Sequence, residues 1–202
     1  EAIGNHLEAW FVNPSTRMNP GLNYAQAIKG RVTGRGIGII DAIHLIEVAR
    51  STEILEQNDA LPKNLITPVK EWFSEFVTWL TTHPYGIDEM KTKNNHAVCW
   101  VMQVGAFARL TGNEEVLELC RKRFREVLLP DQMADDGSFP LEISLTKPYG
   151  YSLFNLDAFM TAAKILSNEK NNLFLFSTPD GKNLKKGAEF LFPFVKDKSK
   201  WP

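Results

Sequence analysis

The sequence predicts an all-α protein. Apolar residues recur at helical intervals in nearly every long segment, and no short run alternates between apolar and polar residues in the way a half-buried strand does. The chain has 202 residues, of which 44% are hydrophobic and 11% aromatic, so it can bury a sizeable core. We expect a single domain over residues 1–202.

The helical pattern is interrupted at a few turn and capping residues. Asn13-Pro14 ends the first helix, because proline lacks a backbone donor and restricts the residue before it. Thr67 is a candidate N-cap with Pro68 at the first helical position, Gly112 can close a helix in the left-handed conformation, and Pro130 is expected to end another. The predicted helices cover about residues 2–12, 36–55, 67–82, 95–110, 114–128, 152–166 and 184–194.

Residues 131–151 do not fit the helical pattern. This segment contains two prolines and the turn sequence Asp135-Asp136-Gly137, and it is therefore predicted to be a surface loop. Long ordered loops in compact domains are usually functional.

The order of helices and loops suits either an irregular bundle or a toroid of paired inner and outer helices. A closed toroid needs more helices than the pattern supplies, and both ends of the sequence look cut. A toroid would be an incomplete (α/α) toroid of paired antiparallel helices that lacks N-terminal helices and a C-terminal segment, and the pattern alone leaves the irregular bundle open.

The charge and cysteine content exclude several classes of partner. The 23 Lys and Arg residues nearly balance the 24 Asp and Glu residues, so the net charge of -1 gives no general attraction to nucleic acid or to an anionic membrane. Cys99 and Cys120 lack the spacing of a zinc or redox motif and are predicted to be buried free thiols. No apolar run is long enough to span a bilayer.

The segment Asn94-Asn95-His96 is the first candidate site. Two amides and an imidazole precede and enter an apolar helix, where free backbone N–H groups and the positive end of the helix dipole favour an anion. Such a site suits a carboxylate. The simpler alternative is an asparagine N-cap beside an incidental histidine.

Two further segments carry candidate side chains. Tyr149 and Tyr151 flank a glycine at the end of the predicted loop and either place a phenol near a sugar or serve as packing residues. The Gly34-Arg35-Gly36 segment is not a phosphate loop, because no strand precedes it and no βαβ unit follows. Its glycines suit a close approach of backbone, and Arg35 is either an anion contact or a structural ion-pair partner.

These segments, taken in order, resemble the alginate-lyase superfamily of polysaccharide lyases. The resemblance extends from about Trp10 to Leu166 and is carried by Met18-Asn19-Pro20, Gly34-Arg35-Gly36, Asn94-Asn95-His96 with Gln103, Asp136-Gly137-Ser138, and Tyr149-Gly150-Tyr151 leading into Asn155-Leu156. It implies an (α/α) toroid enzyme that cleaves (1→4)-linked uronic-acid polymers such as alginate by β-elimination. It also implies an acidic polysaccharide as substrate, a periplasmic or secreted location, and no metal or organic cofactor.

The resemblance also implies a role for each site residue. Asn95 neutralises the uronate carboxylate, His96 assists it or acts as base, and Tyr151 protonates the leaving oxygen or acts as base itself. The implied substrate-binding residues are Asn94, Arg35, Gln103, Glu142, Lys147 and Tyr149. One position departs from the family pattern, because Leu145 occupies a place where the family commonly has arginine, and leucine cannot bind a carboxylate.

Three alternatives to an alginate lyase stay open. A glucuronan-specific lyase uses the same residues on another uronate. A catalytically weakened uronan-binding protein is consistent with Leu145. A glycoside hydrolase needs two carboxyl groups in a cleft, for which Asp135, Asp136 and Glu142 are the available cluster.

Overall fold

A computed structural model describes residues 2–201, and these residues are predominantly helical. The one β-type pairing within them is an isolated antiparallel bridge between Ile28 and Val32. The all-α prediction is confirmed. None of the helices in this range is long and apolar enough to cross a membrane.

The helices are numbered in chain order. They are α1 (Ala2–Leu7), α2 (Leu45–Gln57), α3 (Lys63–Thr82), α4 (Pro84–Met90), α5 (Asn95–Thr111), α6 (Glu114–Arg123), α7 (Leu129–Gln132), α8 (Pro140–Ile143), α9 (Pro148–Leu166) and α10 (Leu184–Lys196). Short π-helical segments follow α1 (Glu8–Val12) and α6 (Phe124–Leu128), and 3-10 segments cover Gly36–Ala42 and Lys198–Lys200.

The chain divides into two compact units. The first contains the residues up to Glu89 together with Ala106–Val116, and the second contains Met90–Gly105 and the residues from Leu117 onward. Helix α5 therefore contributes its first part to the second unit and its last part to the first. The single-domain organisation stays a prediction.

An aromatic cluster forms the core of the first unit. Phe11 packs edge-on against Trp72 with ring centroids 4.9 Å apart, and Phe73 lies 5.0 Å from Phe107. The Trp72 indole N–H also donates to the Met18 backbone oxygen at 2.8 Å, so the segment after α1 is fixed to α3. Burial of these large rings is the main stabilising contribution in this unit.

The glycines around Arg35 permit close backbone packing. A Cβ atom on Gly34 would lie 1.9 Å from the Asn23 backbone oxygen, and one on Gly36 would lie 2.9 Å from the Tyr85 backbone oxygen. No side chain fits at either distance. The prediction that these glycines allow a close approach of backbone is confirmed.

The second unit is built around α5 and α9. All residues from Ala97 to Gly105 are buried, and a Cβ on Gly105 would lie 2.8 Å from a methyl carbon of Leu166 on α9. Phe159 of α9 stacks on Phe139 and meets Phe124 edge-on. Cys99 and Cys120 are both free and fully buried, as the sequence predicts.

The start of α3 differs from the prediction. The helix begins at Lys63 rather than after Thr67, because the Pro62 carbonyl accepts the first turn's hydrogen bonds from Leu65 and Ile66. Pro68 therefore lies inside the helix. It removes a hydrogen bond to the carbonyl of Asn64, which is tolerable because Asn64 is exposed and water can solvate that carbonyl.

Pro130 does not end the helical segment as predicted. A π-helical turn covers Phe124–Leu128, and the Leu129 amide donates to the Phe124 carbonyl across it. This wider turn shifts the hydrogen-bond ladder, so the missing N–H of Pro130 falls at the start of α7 and costs little. The helical segment ends at Gln132 instead.

The segment 131–151 is not a surface loop. Ser138, Phe139 and Glu142 are buried within it, and it contains the short helix α8. Helix α9 begins at Pro148, so Tyr149 and Tyr151 belong to its first turn rather than to a loop. Proline at the first helical position is favourable because its fixed φ suits a helix and its missing donor has no partner there.

The other helix boundaries agree more closely with the prediction. Helix α5 begins at Asn95 as predicted, and Gly112 follows it with φ +72°, which confirms the left-handed closing residue. Helix α4 is absent from the prediction, because His83-Pro84-Tyr85-Gly86 indicates only the end of α3. His83 does end α3 in an extended conformation, but Pro84 then opens a new helix.

Candidate functional site

A paired hydrogen bond joins the first residue of α5 to α8. The Asn95 backbone N–H donates to Oε1 of Glu142 at 2.6 Å, and the Asn95 side-chain Nδ2 donates to Oε2 of the same carboxylate at 2.7 Å. Asn95 is 2% exposed and Glu142 1%. The Glu142 carboxylate therefore caps α5 from another segment, where a negative charge also meets the positive end of the helix dipole.

The first backbone N–H groups of α5 are satisfied within the protein. Besides the Asn95 amide, the His96 N–H donates to Oδ1 of Asn94 at 3.4 Å, and the Ala97 N–H donates to the Asn94 carbonyl at 3.1 Å. The expectation that these amides are free to bind an anion is wrong, because Glu142 and Asn94 accept their hydrogen bonds. Any carboxylate recognition here depends on side chains.

The electrostatics of Glu142 reflect its burial. Desolvation raises the pKa of Glu142 above its ordinary value, while the hydrogen bonds from Asn95 and the positive charge of His96 act in the opposite direction. His96 directly follows Asn95 in α5 and so begins the same helix. Asn95 and Glu142 thus form one hydrogen-bonded unit at the start of the helix that also carries His96.

A second buried chain of hydrogen bonds connects α5 with α9. Gln132 Nε2 donates to the Asn94 carbonyl at 3.0 Å, and Asn155 Nδ2 donates to Oε1 of Gln132 at 3.1 Å. Gln132 is 4% exposed and Asn155 fully buried. We call these three residues the amide relay. It fixes the segment just before α5 to the inner face of α9.

Tyr151 lies on α9 one helical turn before Asn155. Residues four apart on a helix share a face, so Tyr151 is on the side of α9 that carries the amide relay. Its side chain is partly exposed, as is that of His96. The structure thus ties the helix that carries Tyr151 to the helix that begins with Asn95 and His96.

The remaining predicted substrate-binding residues occupy different surroundings. Arg35, in the first unit, donates from Nε to the Gln26 carbonyl at 3.0 Å and from Nη2 to the Gln26 side chain at 3.1 Å. Lys147 is exposed immediately before α9. Arg35 is half-buried, and contact of either residue with substrate stays a prediction.

Gln103 and Tyr149 are engaged by the protein itself. Gln103 is fully buried two turns after Asn95 and donates to the Cys99 carbonyl at 3.3 Å. Tyr149 donates its hydroxyl to the Phe194 carbonyl at 3.4 Å and meets the Trp201 ring edge-on. These contacts support the packing interpretation of Tyr149, and substrate binding by either residue stays a prediction.

A separate groove lies in the first unit. It has a volume of about 630 Å³, its walls are mainly apolar, and they include Ile3, His6, Trp10, His44 and Leu55. None of the predicted site residues lines it. A site for an acidic sugar needs convergent donors, so we do not assign the catalytic site to this groove. No group of metal-ligating side chains occurs within residues 2–201.

Comparison with known proteins identifies the family. The family model described as alginate lyase matches residues 1–201. The chain belongs to the alginate lyase family. A crystal structure of an alginate lyase from Bacteroides ovatus superposes on it with a TM-score of 0.91 at 33% sequence identity. The similarity covers 98% of this chain and 53% of that chain, so this chain spans about half the length of the solved alginate lyase. No curated protein matches it.

The alginate lyase resemblance in the sequence is confirmed by these matches, and so is the family's all-helical fold. Sequence reasoning missed Gln132, which was assigned to a loop and has no distinguishing pattern. It also left Asn155 without a role. The spacing of four residues between Tyr151 and Asn155 becomes informative only with α9 beginning at Pro148, because the predicted helix began after Tyr151.

Proposed function

We propose that this chain carries the catalytic residues of a polysaccharide lyase that cleaves (1→4)-linked uronic-acid polymers, with alginate as the first candidate substrate. The observation that carries the proposal is the amide relay. It links the helix start that bears Asn95 and His96 to the face of α9 that bears Tyr151.

The chemistry requires two functions in one place. A proton α to a carboxylate is weakly acidic until hydrogen bonds or positive charge stabilise the enolate-like dianion that forms when it leaves. Asn95 supplies an amide donor for that purpose, and His96 supplies an imidazole that can donate an N–H to the carboxylate. Tyr151 then exchanges a proton with the sugar, either taking it from C5 or giving it to the leaving oxygen at C4.

The balance of the reaction needs no added water. The C5–H bond and the C4–O bond break, a C4=C5 double bond forms, and the departing chain leaves with a hydroxyl group. His96 and Tyr151 are both candidates for the base, and we expect the choice to depend on the C5 configuration of the uronate. A periplasmic or secreted location fits a polymeric substrate and belongs to the same proposal.

A uronan-binding protein without turnover is the second candidate. Leu145, between α8 and α9, occupies the position where the family pattern commonly has arginine, so one carboxylate partner is missing. Binding of oligouronates measured by calorimetry, without formation of product, would favour this candidate.

The glycoside hydrolase alternative has less support. Both oxygens of Glu142 accept hydrogen bonds from Asn95, and the carboxyl is buried. Hydrogen bonds from Ser138 hold the pKa of Asp136 below its ordinary value, whereas a general acid needs a raised pKa. Glu142 and Asp136 are therefore poorly suited to protonate a leaving sugar.

A substrate panel tests the proposal. The intact protein is incubated with alginate, polymannuronate and glucuronan, and both ultraviolet absorbance and reducing ends are followed. A lyase raises both signals together, because each cleavage creates one unsaturated sugar and one reducing end. Reducing ends without new absorbance point to hydrolysis, and the absence of both signals on all three polymers contradicts the proposed activity.

A further inference from the structure

We propose that Glu142 is a positioning residue that sets the orientation of the Asn95 side-chain amide, an inference that rests on the proposed lyase function. The sequence prediction placed Glu142 against the substrate. The geometry points instead to an action through Asn95, since both oxygens of the carboxylate accept hydrogen bonds from that residue.

The two hydrogen bonds have different consequences. The backbone N–H of Asn95 belongs to α5 and has a fixed direction, so its bond to Oε1 determines where the carboxylate lies. The other oxygen, Oε2, then faces the Asn95 side chain and accepts from Nδ2. An ionised carboxylate only accepts, so it selects the amide rotamer with Nδ2 toward Glu142 and disfavours the flipped one.

The backbone that carries Glu142 is itself held in place by a hydrogen bond and by packing. Its backbone N–H donates to the Phe139 carbonyl at 3.0 Å, and Phe139 is 1% exposed and stacked on Phe159 of α9. Pro140 opens α8 directly after Phe139. The carboxylate is therefore held by the same helix that carries Tyr151.

The hydrogen bond to Glu142 limits what the Asn95 side chain can offer to a substrate carboxylate. One Nδ2 hydrogen of Asn95 is committed to Glu142, so a single hydrogen on that nitrogen is left for a substrate carboxylate. The Asn95 amide thus supplies a directed hydrogen bond and no charge, so any positive charge beside the substrate carboxylate has to come from another side chain, for which His96 is the adjacent candidate in the chain. Neutralisation of the substrate by Asn95 alone is not expected.

The test compares the variant Glu142→Gln with Glu126→Gln, a matched control on the surface. Glutamine keeps one acceptor for the Asn95 backbone N–H but places an NH2 group against the side chain, so the amide has to turn. We expect kcat on the best uronan to fall by about a hundredfold with the melting temperature nearly kept. Glu142→Asp, which keeps two acceptors on a shorter stem, is expected to recover part of the loss.

A second measurement does not depend on turnover. The side-chain NH2 resonances of Asn95 are followed by 15N-edited NMR in the wild type and in Glu142→Gln, and assigned with Asn95→Ala. We expect the two protons to be far apart in shift in the wild type, because one is bonded to a carboxylate, and to move together in the variant.

The outcomes separate the two proposals. A wild-type protein without activity on any uronan contradicts the proposed function, and the NMR comparison then decides the role of Glu142. An active wild type with unchanged kcat and KM in Glu142→Gln overturns the positioning role alone. Unchanged Asn95 NH2 resonances overturn it as well, and so does a loss of activity that merely follows a loss of folded protein.

Discussion

Asn155 donates its side-chain amide to Gln132 at 3.1 Å inside the second unit, one helical turn after Tyr151 on the same face of α9. Gln132 in turn donates to the Asn94 carbonyl, next to Asn95. Two residues more than 50 positions apart in sequence, Asn95 and Tyr151, are thereby tied through buried amides. The relay is consequently the part of the structure on which the geometry of the proposed site depends.

Removal of the central amide is predicted to loosen that connection. Gln132→Ala removes one hydrogen bond to the Asn94 carbonyl and deprives the buried Asn155 NH2 group of its Gln132 acceptor, which should cost about 1–3 kcal/mol in the free energy of unfolding. Urea unfolding provides the measurement. Gln57→Ala is the control, because Gln57 is exposed and its effect should stay within about 0.5 kcal/mol. Equal stabilities of the two variants would contradict the role of the relay.

A glycine in the turn before α8 is predicted to be irreplaceable. Gly137 has φ +89°, and a Cβ there would lie 2.4 Å from the Lys186 backbone oxygen. Gly137→Ala should therefore combine left-handed strain with a backbone clash. Gly112→Ala is the matched control, since Gly112 has φ +72° and open space around it.

The two glycine variants separate strain from steric overlap. Gly112→Ala should cost about 1–2 kcal/mol, which is the strain alone. Gly137→Ala should cost about 2 kcal/mol more, because the Lys186 backbone has to move. Thermal unfolding at equal protein concentration measures both. Comparable losses in the two variants would show that the turn can shift freely.

The cysteines are predicted to be unreactive in the folded protein. Burial raises the pKa of the Cys120 thiol to about 12, and Cys99 is fully buried. The thiolate is the reactive form, so labelling by a disulfide reagent at mild alkaline pH should require unfolding. Ser74→Cys, at an exposed position of α3, should react at once. Rapid labelling of the native wild type would contradict the burial of these thiols.

The stability of the protein should depend on pH through Glu142. Its pKa is raised in the folded state above the ordinary value of 4.5, so the native protein binds more protons than the unfolded chain as pH rises through that region. The contribution is present at low pH and is lost as pH rises toward the folded pKa.

Comparison with Glu142→Gln isolates this group, because every other titration is shared. The free energy of unfolding of the wild type minus that of the variant should decrease as pH rises from below the ordinary carboxyl pKa of 4.5 to neutral and above. Chemical unfolding at a series of pH values provides the data. A constant difference, or one that increases with pH, would contradict the raised pKa.

Local signals in the sequence predicted the helices that obey local rules. The start of α5 at Asn95 and its end before Gly112 follow from polar caps and a long apolar pattern, and tertiary packing agrees with them. Pro68 and Pro130 misled the prediction, because a proline is expected at helix starts and ends. Pro68 lies within a helix, where the carbonyl that loses its hydrogen bond belongs to an exposed residue. Pro130 follows a π-helical turn for which the sequence has no recognisable pattern.

The candidate site was predictable only in part. Asn95, His96 and Tyr151 belong to recognisable motifs, and the family match supports the function that those motifs implied. The hydrogen bonds of Glu142 and Gln132 could not be predicted. Their partners lie 47 and 38 positions away, and nothing in local spacing distinguishes a buried carboxylate at a helix start from one facing solvent.

Removal of the Tyr151 hydroxyl group tests the central claim most directly. Tyr151→Phe is compared with Tyr24→Phe, a variant at a 77% exposed tyrosine in the first unit, by the ultraviolet absorbance of unsaturated product on the preferred uronan. Proton transfer by a positioned phenol is worth about 100-fold or more, so Tyr151→Phe should lose at least that much of kcat while Tyr24→Phe keeps the wild-type rate. Full activity of Tyr151→Phe would contradict the proposal that Tyr151 acts with Asn95 and His96 at one site.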